Sequence, residues 1–171
     1  TVQDFLEFAR PQPIEPAWFN AREFFQNIKL EPKAILREQD IDFTLSLGRT
    51  GAVRWDKNQM QQVFMNLVRN AVHAIQEGGQ IGITTEERNE NTLVITVRDD
   101  GEGISAQTVP KIFNLYFTTK SDGTGVGLSI VQRIVYEHGG NIEVSSKVGY
   151  GTTFTIVMPK SVPAEVNRTE G

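Results

Sequence analysis

The chain has 171 residues, of which 39% are hydrophobic and 22% are charged, and its formal net charge is −4. This composition is typical of one globular domain, and the negative charge argues against non-specific binding of nucleic acid. The chain has no cysteine, which excludes disulfides and thiol chemistry, and no apolar run approaches the roughly 20 residues of a membrane helix.

Residues 1–10 have the pattern of the last turns of a helix. Residues 1–10 place apolar side chains at roughly helical spacing and stop at prolines, which terminate helices. Because so short a segment does not hold a helix alone, we predict the end of a longer helix from a preceding domain. We expect a linker over residues 11–17, one domain over residues 18–160 and a flexible polar tail over residues 161–171.

The first half of the domain predicts two helices and a strand. Residues 18–38 have helical spacing of apolar side chains, perturbed by an internal proline, whereas residues 41–47 alternate as a half-buried strand does. The clearest helix is predicted over residues 56–76, which carry a continuous apolar stripe. Asp56 is its expected N-cap, and Gly78-Gly79 are expected to terminate it.

The second half predicts paired strands around one more helix. Strands are predicted over residues 80–85 and 92–98, and a closing hairpin over residues 142–145 and 153–158. Between them, a helix over residues 129–138 ends at two glycines. We therefore expect an α/β fold, a two-layer sandwich whose mixed, mostly antiparallel sheet of about five strands has three main helices on one face.

Polar residues follow one side of the helix predicted over residues 56–76. Asn66, Asn70 and His73 are spaced at i, i+4 and i+7, which places them on one face. Asparagine is a poor helix former, so two of them one turn apart lower helix stability without an evident structural gain. A neutral oxygen ligand beside phosphates suits Mg²⁺, and the histidine would contact a phosphate or a ribose. The alternative is a solvated polar stripe.

An acidic and glycine-rich segment follows the second predicted strand. Asp99 ends this strand, and Gly101 and Gly103 let the chain turn sharply under a ligand. A carboxylate at the mouth of a pocket accepts a hydrogen bond from an amine such as the exocyclic group of adenine. The alternative is an acidic β-turn without a ligand, which is common.

Three alternating glycines, Gly123, Gly125 and Gly127, lead directly into the last predicted helix. Flexible glycines bring backbone N–H groups close to a ligand, and a helix N-terminus adds free donors and a positive dipole end. Together they favour a phosphate site, although three glycines also suit a tight turn. Upstream, Phe113 and Phe117 are spaced as core anchors. The polar residues after Phe117, up to and including Lys120, would then lie above the bound phosphate.

Five motifs occur in a fixed order along the chain. They are Asn66-Leu67-Val68-Arg69-Asn70-Ala71, Asp99-Asp100-Gly101-Glu102-Gly103, the phenylalanine pair of residues 113–117, Gly123-Thr124-Gly125-Val126-Gly127-Leu128 and Gly149-Tyr150-Gly151-Thr152-Thr153-Phe154. This series resembles the asparagine box, two glycine boxes, phenylalanine box and final Gly-x-Gly-Thr of the catalytic, ATP-binding domain of sensor histidine kinases. That family belongs to the GHKL ATPase superfamily, whose fold is of the Bergerat type. The resemblance covers residues 14–160, and the short lid is similar to that of nitrogen-regulator-type kinases.

The resemblance implies ATP and Mg²⁺ as cofactors. The implied nucleotide-binding set is Asn66, Asn70, His73, Asp99, Gly101, Gly103, Ile104, Phe117, Thr119, Lys120, Gly123, Thr124, Gly125, Val126, Gly127, Leu128 and Thr152. Asn70 is the implied metal ligand, and Asn66, Asn70 and Lys120 are the implied catalytic residues. Asp99 would accept from the adenine amine, helped through water by Thr152, while backbone N–H groups of the glycine loop would hold the phosphates.

The resemblance also implies partners and a setting. The γ-phosphoryl group would pass to a histidine of the dimerisation domain, since neither His73 nor His138 has the sequence context of a phosphoacceptor. A response regulator would be the further partner. We expect a cytoplasmic chain that contacts neither nucleic acid nor membrane, monomeric when isolated and homodimeric in the full protein. Membrane association of the full protein is left open.

Two other functions compete with this interpretation. GHKL ATPases of the gyrase, mismatch-repair or heat-shock type carry a glutamate general base one turn before the metal-binding asparagine. Asn66 occupies that position and has no basic carboxylate to activate water, which predicts slow ATP hydrolysis. The second is a nucleotide-binding interaction module, such as an anti-sigma-type serine kinase or a degenerate sensor domain, although here every expected polar position is filled.

Overall fold

A five-stranded mixed sheet forms the centre of the fold. The structure is a computed structural model that describes residues 12–28, 33–114, 117 and 127–163. Its helices are α1 (Ala21–Gln26), α2 (Lys33–Glu38), α3 (Lys57–Ala74) and α4 (Gly127–Glu137). Its strands are β1 (Ala17–Asn20), β2 (Ile41–Leu47), β3 (Ala52–Trp55), β4 (Gly79–Asn89), β5 (Thr92–Asp99), β6 (Asn141–Lys147) and β7 (Gly151–Pro159). The helix end predicted at residues 1–10 lies outside the described residues.

The strands of the main sheet are ordered β2-β4-β5-β7-β6. β2 and β4 are parallel, and every other neighbouring pair is antiparallel. Every second residue of the central strands is buried, which places these side chains against the helices in one core. The predicted mixed, mostly antiparallel sheet of an α/β sandwich is confirmed.

Helix α3 forms where its sequence predicts it. The Asp56 carboxylate caps its first turn by accepting from Gln59 N at 3.0 Å. Its buried stripe consists of Met60, Val63, Phe64, Leu67, Val68, Ala71 and Val72. The helix ends at Ala74, before the predicted glycine stop, because Ile75 turns to an extended conformation and buries its side chain in the core. Gly78, with φ of +68°, then directs the chain into β4.

The helix predicted over residues 18–38 is wrong in its first part. β1 pairs antiparallel with β3, and the two form a separate two-stranded sheet in place of the start of the predicted helix. Trp18 is exposed while Phe19 packs against the core, so this segment follows the period of a strand. Asn20 then accepts from Glu23 N at 3.0 Å and caps the short helix α1. The third main helix is thus replaced, among the described residues, by two helices of 6 residues each.

Residues assigned to the linker and to the tail contact the domain. Glu15 N donates to the Asp56 carboxylate at 2.9 Å, which attaches the linker to the start of α3. Ser161 pairs with Arg54 beside β3, and Val162 is buried in the core. Ordered contacts therefore continue on both sides of residues 18–160. No helix in the described ranges combines the length and hydropathy of a membrane span.

Candidate functional site

Three polar side chains share one row on the helix-facing side of the sheet. Asp99 of β5 is paired with Thr152 of β7, and Thr152 is paired with Ser146 of β6. Directly opposite residues of antiparallel strands project to the same face. The row continues into β4 with the fully buried Ile81, so the polar groups occupy positions where the rest of the face is apolar. Asp99 and Thr152 are each only 5% exposed.

A buried carboxylate requires hydrogen-bond partners, and Asp99 has one in the turn that follows it. Gly101 N donates to Asp99 Oδ1 at 2.9 Å. The neighbouring Asp100 is exposed and accepts instead from Gln80 N, at 2.8 Å, on the first residues of β4. The two adjacent carboxylates therefore have different environments, because only that of Asp99 is aimed into the space between sheet and helices.

Gly101 and Gly103 are fixed by close approach to protein backbone. A Cβ atom at Gly101 would lie 2.6 Å from the carbonyl oxygen of Ala74 at the end of α3. Gly103 has φ of +76°, and a Cβ there would collide with the carbonyl oxygen of Lys147. The sequence alternative of a structural turn therefore accounts for both glycines, and their predicted place in a base pocket stays a prediction.

The asparagine stripe of α3 connects this turn with the start of α4. Asn66 is half-buried, and its Nδ2 lies 3.5 Å from the carbonyl oxygen of Gly127, the first residue of α4. Eight residues further along α3, Ala74 contacts the turn at Gly101. A helix rises about 1.5 Å per residue, so these two contacts are about 12 Å apart. Asn70, half-buried, and His73, exposed, lie between them on the predicted face.

The segment before the glycine loop is anchored in the core. Phe113, Phe117, Ile104 and Leu128 are partly buried and pack against the core cluster. Ser129 Oγ donates to the carbonyl oxygen of Phe113 at 2.9 Å, which joins this segment to the first turn of α4. The prediction that the two phenylalanines are core anchors is confirmed.

The central part of the predicted lid cannot be placed in the site. The residues concerned are Thr119, Lys120, Gly123, Thr124, Gly125 and Val126, all outside the described residues. Of the glycine loop, the structure describes Gly127 and Leu128, and it places both at the N-terminus of α4. Within the described ranges, no three histidine, aspartate or glutamate side chains converge as a metal site.

Sequence reasoning missed Ser146. Its Oγ lies 2.7 Å from Ile104 N, 2.7 Å from Thr152 Oγ1 and 2.9 Å from the carbonyl oxygen of Gly151. It thereby joins the turn after β5 to the hairpin of β6 and β7. The alternation of β6 places the half-buried Ser146 on the inward face, and this polar residue at an inward position was the signal available in the sequence.

Comparison with known proteins gives a consistent set of relatives. The family of histidine kinase-, DNA gyrase B- and HSP90-like ATPases matches residues 55–162. Sensor histidine kinase ZraS of Salmonella typhimurium is 35% identical over 159 residues, which are 92% of this chain and 34% of that protein. The chain thus spans about a third of the length of the curated relatives it matches first.

Two solved structures are similar over most of the chain. The catalytic domain of histidine kinase ThkA has a TM-score of 0.77 at 34% identity, covering 86% of this chain and 97% of that domain. Histidine kinase ThkA in complex with the response regulator protein TrrA has a TM-score of 0.78 at 31% identity, covering 93% of this chain and 46% of that one.

Proposed function

The chain belongs to the family of histidine kinase-, DNA gyrase B- and HSP90-like ATPases, and within it to the histidine kinase catalytic domains, and we propose that it binds ATP with Mg²⁺. In this proposal it presents the γ-phosphate to a histidine of a partner domain. The observation that carries this proposal is the placement of a buried acceptor, Asp99, at one end of the α3 asparagine stripe and of a helix N-terminus, Gly127, at the other.

We infer a nucleotide-binding groove that runs along α3 between Asp99 and Gly127, and its base end suits adenine. Asp99 and Thr152 place oxygen atoms side by side in a buried position, and a carboxylate only accepts hydrogen bonds at neutral pH. The exocyclic amine of adenine is a donor, whereas guanine presents a carbonyl oxygen at the matching position. The donor and acceptor chemistry of these residues therefore favours adenine.

The phosphate end suits an anion. The first N–H groups of α4 have no partner within the helix, and the helix dipole adds positive potential there. Asn66 lies against Gly127 at this end. We propose that the backbone of Gly125, Gly127 and Leu128 holds the phosphates and that Lys120 and Thr119 contact the terminal phosphate from the lid.

Asn70 is the proposed magnesium ligand. Mg²⁺ in nucleotide sites keeps most of its waters and takes one or two oxygen ligands from the protein. Asn70 is half-buried on the groove side of α3, between the two ends, and its amide oxygen is of the required type. His73, one turn further, is the proposed contact to ribose or phosphate.

The proposed chemistry is positioning rather than covalent catalysis. When bound, ATP supplies the phosphoryl group, and its transfer depends mainly on alignment and on charge stabilisation by surrounding donors. Asp99 orients the base, the α4 N-terminus orients the phosphates, and Asn66 holds the start of α4 against α3. Asn66 has an amide and no basic carboxylate, so it does not activate water, and an imidazole outside this chain is the proposed acceptor.

The proposed partners follow from the same chemistry. A dimerisation domain carrying the acceptor histidine has to reach the phosphate end of the groove, and we propose that it belongs to the same homodimeric protein. ThkA, a relative by structure, is solved with the response regulator TrrA. We propose a response regulator as the second partner of the full protein, and a cytoplasmic setting for this domain.

Transfer in trans tests the proposed function. The chain, mixed with a separately made dimerisation domain and labelled ATP, should phosphorylate the histidine of that domain. The rate should rise with protein concentration, because covalent linkage normally supplies an effective concentration up to the millimolar range. The product should be labile in acid and stable in alkali. Rapid ATP hydrolysis by the chain alone, or acid-stable phosphate on its serines or threonines, would instead support the ATPase or serine kinase alternatives.

A further inference from the structure

The hydrogen bonds around Ser146 determine which of its neighbours donates. Ile104 N donates to Ser146 Oγ, since a backbone N–H has no lone pair to offer. The carbonyl oxygen of Gly151, 2.9 Å away, only accepts. Thr152 Oγ1, at 2.7 Å, is able to do either.

Ser146 has one hydroxyl hydrogen for these three contacts. If it gave that hydrogen to Thr152, lone pairs of Ser146 Oγ and of the Gly151 carbonyl would face each other at 2.9 Å with no hydrogen between them. Ser146 therefore donates to Gly151 and accepts from both Ile104 and Thr152. The hydroxyl hydrogen of Thr152 consequently points to Ser146.

Because its hydrogen points to Ser146, the Thr152 hydroxyl presents only lone pairs to any other neighbour. Thr152 is directly opposite Asp99 in the β5–β7 pair, and both side chains lie on the helix-facing side of the sheet. Opposite residues have Cβ atoms about 4.5–5.5 Å apart, so one ligand group is able to contact both. A carboxylate and a hydroxyl held as an acceptor thus form a surface that offers no hydrogen to a ligand.

We propose that Ser146 is a positioning residue that holds the Thr152 hydroxyl as an acceptor and so makes the site select a 6-amino purine over a 6-oxo purine. The inference rests on the proposed function, since it assumes that the purine base lies at Asp99. An adenine amine donates to this surface, whereas a 6-oxo group would face two acceptors and lose its hydrogen bond with water. Without Ser146, the Thr152 hydroxyl is able to rotate and donate to a 6-oxo group.

The test compares the affinities of ATP and inosine triphosphate, whose purines carry an amino and an oxo group at position 6 and, as a consequence, differ in the hydrogen on N1. Ser146→Ala should reduce the ATP-to-ITP affinity ratio by about three- to tenfold, the size expected for one hydrogen bond. Ser146→Thr should keep the ratio, because it restores the hydroxyl. Ser145→Ala, on the same strand but with an exposed side chain, is the matched control and should also keep it.

A double-mutant cycle separates the proposed role from a structural one. In a Thr152→Val background, Ser146→Ala should not change the ratio further, because the effect passes through the Thr152 hydroxyl. Thermal unfolding of each variant shows that the comparison is made on folded protein, and Thr152→Val alone should already lower the ratio. An equal loss of affinity for both nucleotides in Ser146→Ala, or an unchanged ratio, would overturn this inference and leave the proposed function intact. A wild-type chain that binds neither nucleotide would overturn both.

Discussion

Asp99 is the residue whose placement has the clearest functional meaning. It is 5% exposed and lies on a face of the sheet that is otherwise largely apolar, where an ionised carboxylate is unfavourable unless it is well hydrogen-bonded. Gly101 N provides one hydrogen bond. The turn alone would not require burial, since Asp100 makes a similar bond to Gln80 N from an exposed position. This contrast favours a ligand as the reason for burying Asp99.

The first prediction concerns Asp99→Asn. The loss of a charge-assisted hydrogen bond is worth roughly 1.5–3 kcal/mol, which corresponds to about a tenfold to hundredfold weaker binding of ATP. Calorimetric titration measures this change. Asp100→Asn is the matched control, because the adjacent carboxylate is exposed, and it should keep wild-type affinity. Unchanged ATP affinity in a folded Asp99→Asn protein would show that the carboxylate does not contact the base.

The second prediction concerns Asn70→Ala. Alanine is the better helix former, so the thermal stability of the protein should be kept to within about 1 kcal/mol. The variant should lose most of the gain in ATP affinity that Mg²⁺ provides to the wild type. Asn58→Ala, at an exposed position on the same helix, should retain this gain. An equal effect of Mg²⁺ on Asn70→Ala and on the wild type would exclude Asn70 as the ligand.

At the scale of elements, His138 joins the two long helices. It is buried at the end of α4, where its ring Nδ1 lies 2.8 Å from the carbonyl oxygen of Ile134. Its Nε2 accepts from Asp56 N at 3.0 Å, at the residue that caps α3. The accepting Nε2 leaves the proton on Nδ1, so the ring is neutral. His138 therefore has a structural role, fixing the start of α3 relative to α4.

The third prediction follows from the pKa of His138. Burial lowers this pKa from its ordinary value near 6.5, outweighing the opposing effects of the Ile134 carbonyl and of the Asp56 carboxylate. The unfolded chain thus binds a proton at higher pH than the folded one. Stability from this residue is complete above pH 6.5 and is lost as the pH falls through 6.5 towards the lowered pKa, by at most about 1.4 kcal/mol per pH unit.

Urea unfolding at a series of pH values between 7.5 and 5 measures this loss. His138→Gln should remove the pH dependence in this range, since the new side chain does not titrate. His73→Gln is the matched control, because His73 is exposed, and it should retain the dependence of the wild type. A His138→Gln protein with the same slope as the wild type would attribute the pH effect to other groups.

At the scale of the whole molecule, hydrogen bonds between residues far apart in the chain attach its last described residues to β3. Val162 N donates to the carbonyl oxygen of Arg54 at 3.1 Å, and Arg54 N donates to that of Lys160 at 2.6 Å. Trp55 Nε1 donates to the carbonyl oxygen of Pro159 at 2.8 Å. The chain after β7 therefore closes the small β1–β3 sheet against the main sheet.

The fourth prediction is that a chain ending at residue 160 is less stable than one ending at residue 163. The shorter chain lacks the buried side chain of Val162 and its hydrogen bond to Arg54. Burial of an aliphatic side chain and one net hydrogen bond contribute about 2–4 kcal/mol together. Denaturant unfolding of the two chains measures the difference. Equal free energies of unfolding would show that residues 161–163 do not stabilise the domain.

Much of the fold could be predicted from local patterns. The apolar stripe and the Asp56 cap identify α3, and strict alternation identifies β2 over residues 41–47. Hydrophobic period and capping chemistry are properties of neighbouring residues, so a sequence contains them in full. β1 was mistaken for a helix because its partner, β3, lies more than 30 residues further on, and a strand of 4 residues has almost no periodicity of its own.

Local sequence patterns specify the types and the order of the groups at the candidate site. The asparagines of α3, Asp99 and the glycine loop are each visible as a short motif, and the one-residue-in-two and i, i+4 spacings predict the face on which each lies. Gly101 and Gly103 were visible too, but only the packed backbone shows that Ala74 and Lys147 require them.

Which of these motifs come into contact depends on how the strands pair and the helices pack. Strand pairing places Asp99 beside Thr152, which lies dozens of residues further along the chain, and the β6–β7 hairpin places Thr152 beside Ser146. The contact of Asn66 with Gly127 likewise depends on how α3 and α4 pack. Register and helix packing are set by burial of the whole core, a long-range quantity, and for this reason the hydrogen-bond direction at Ser146 has no local sequence signature.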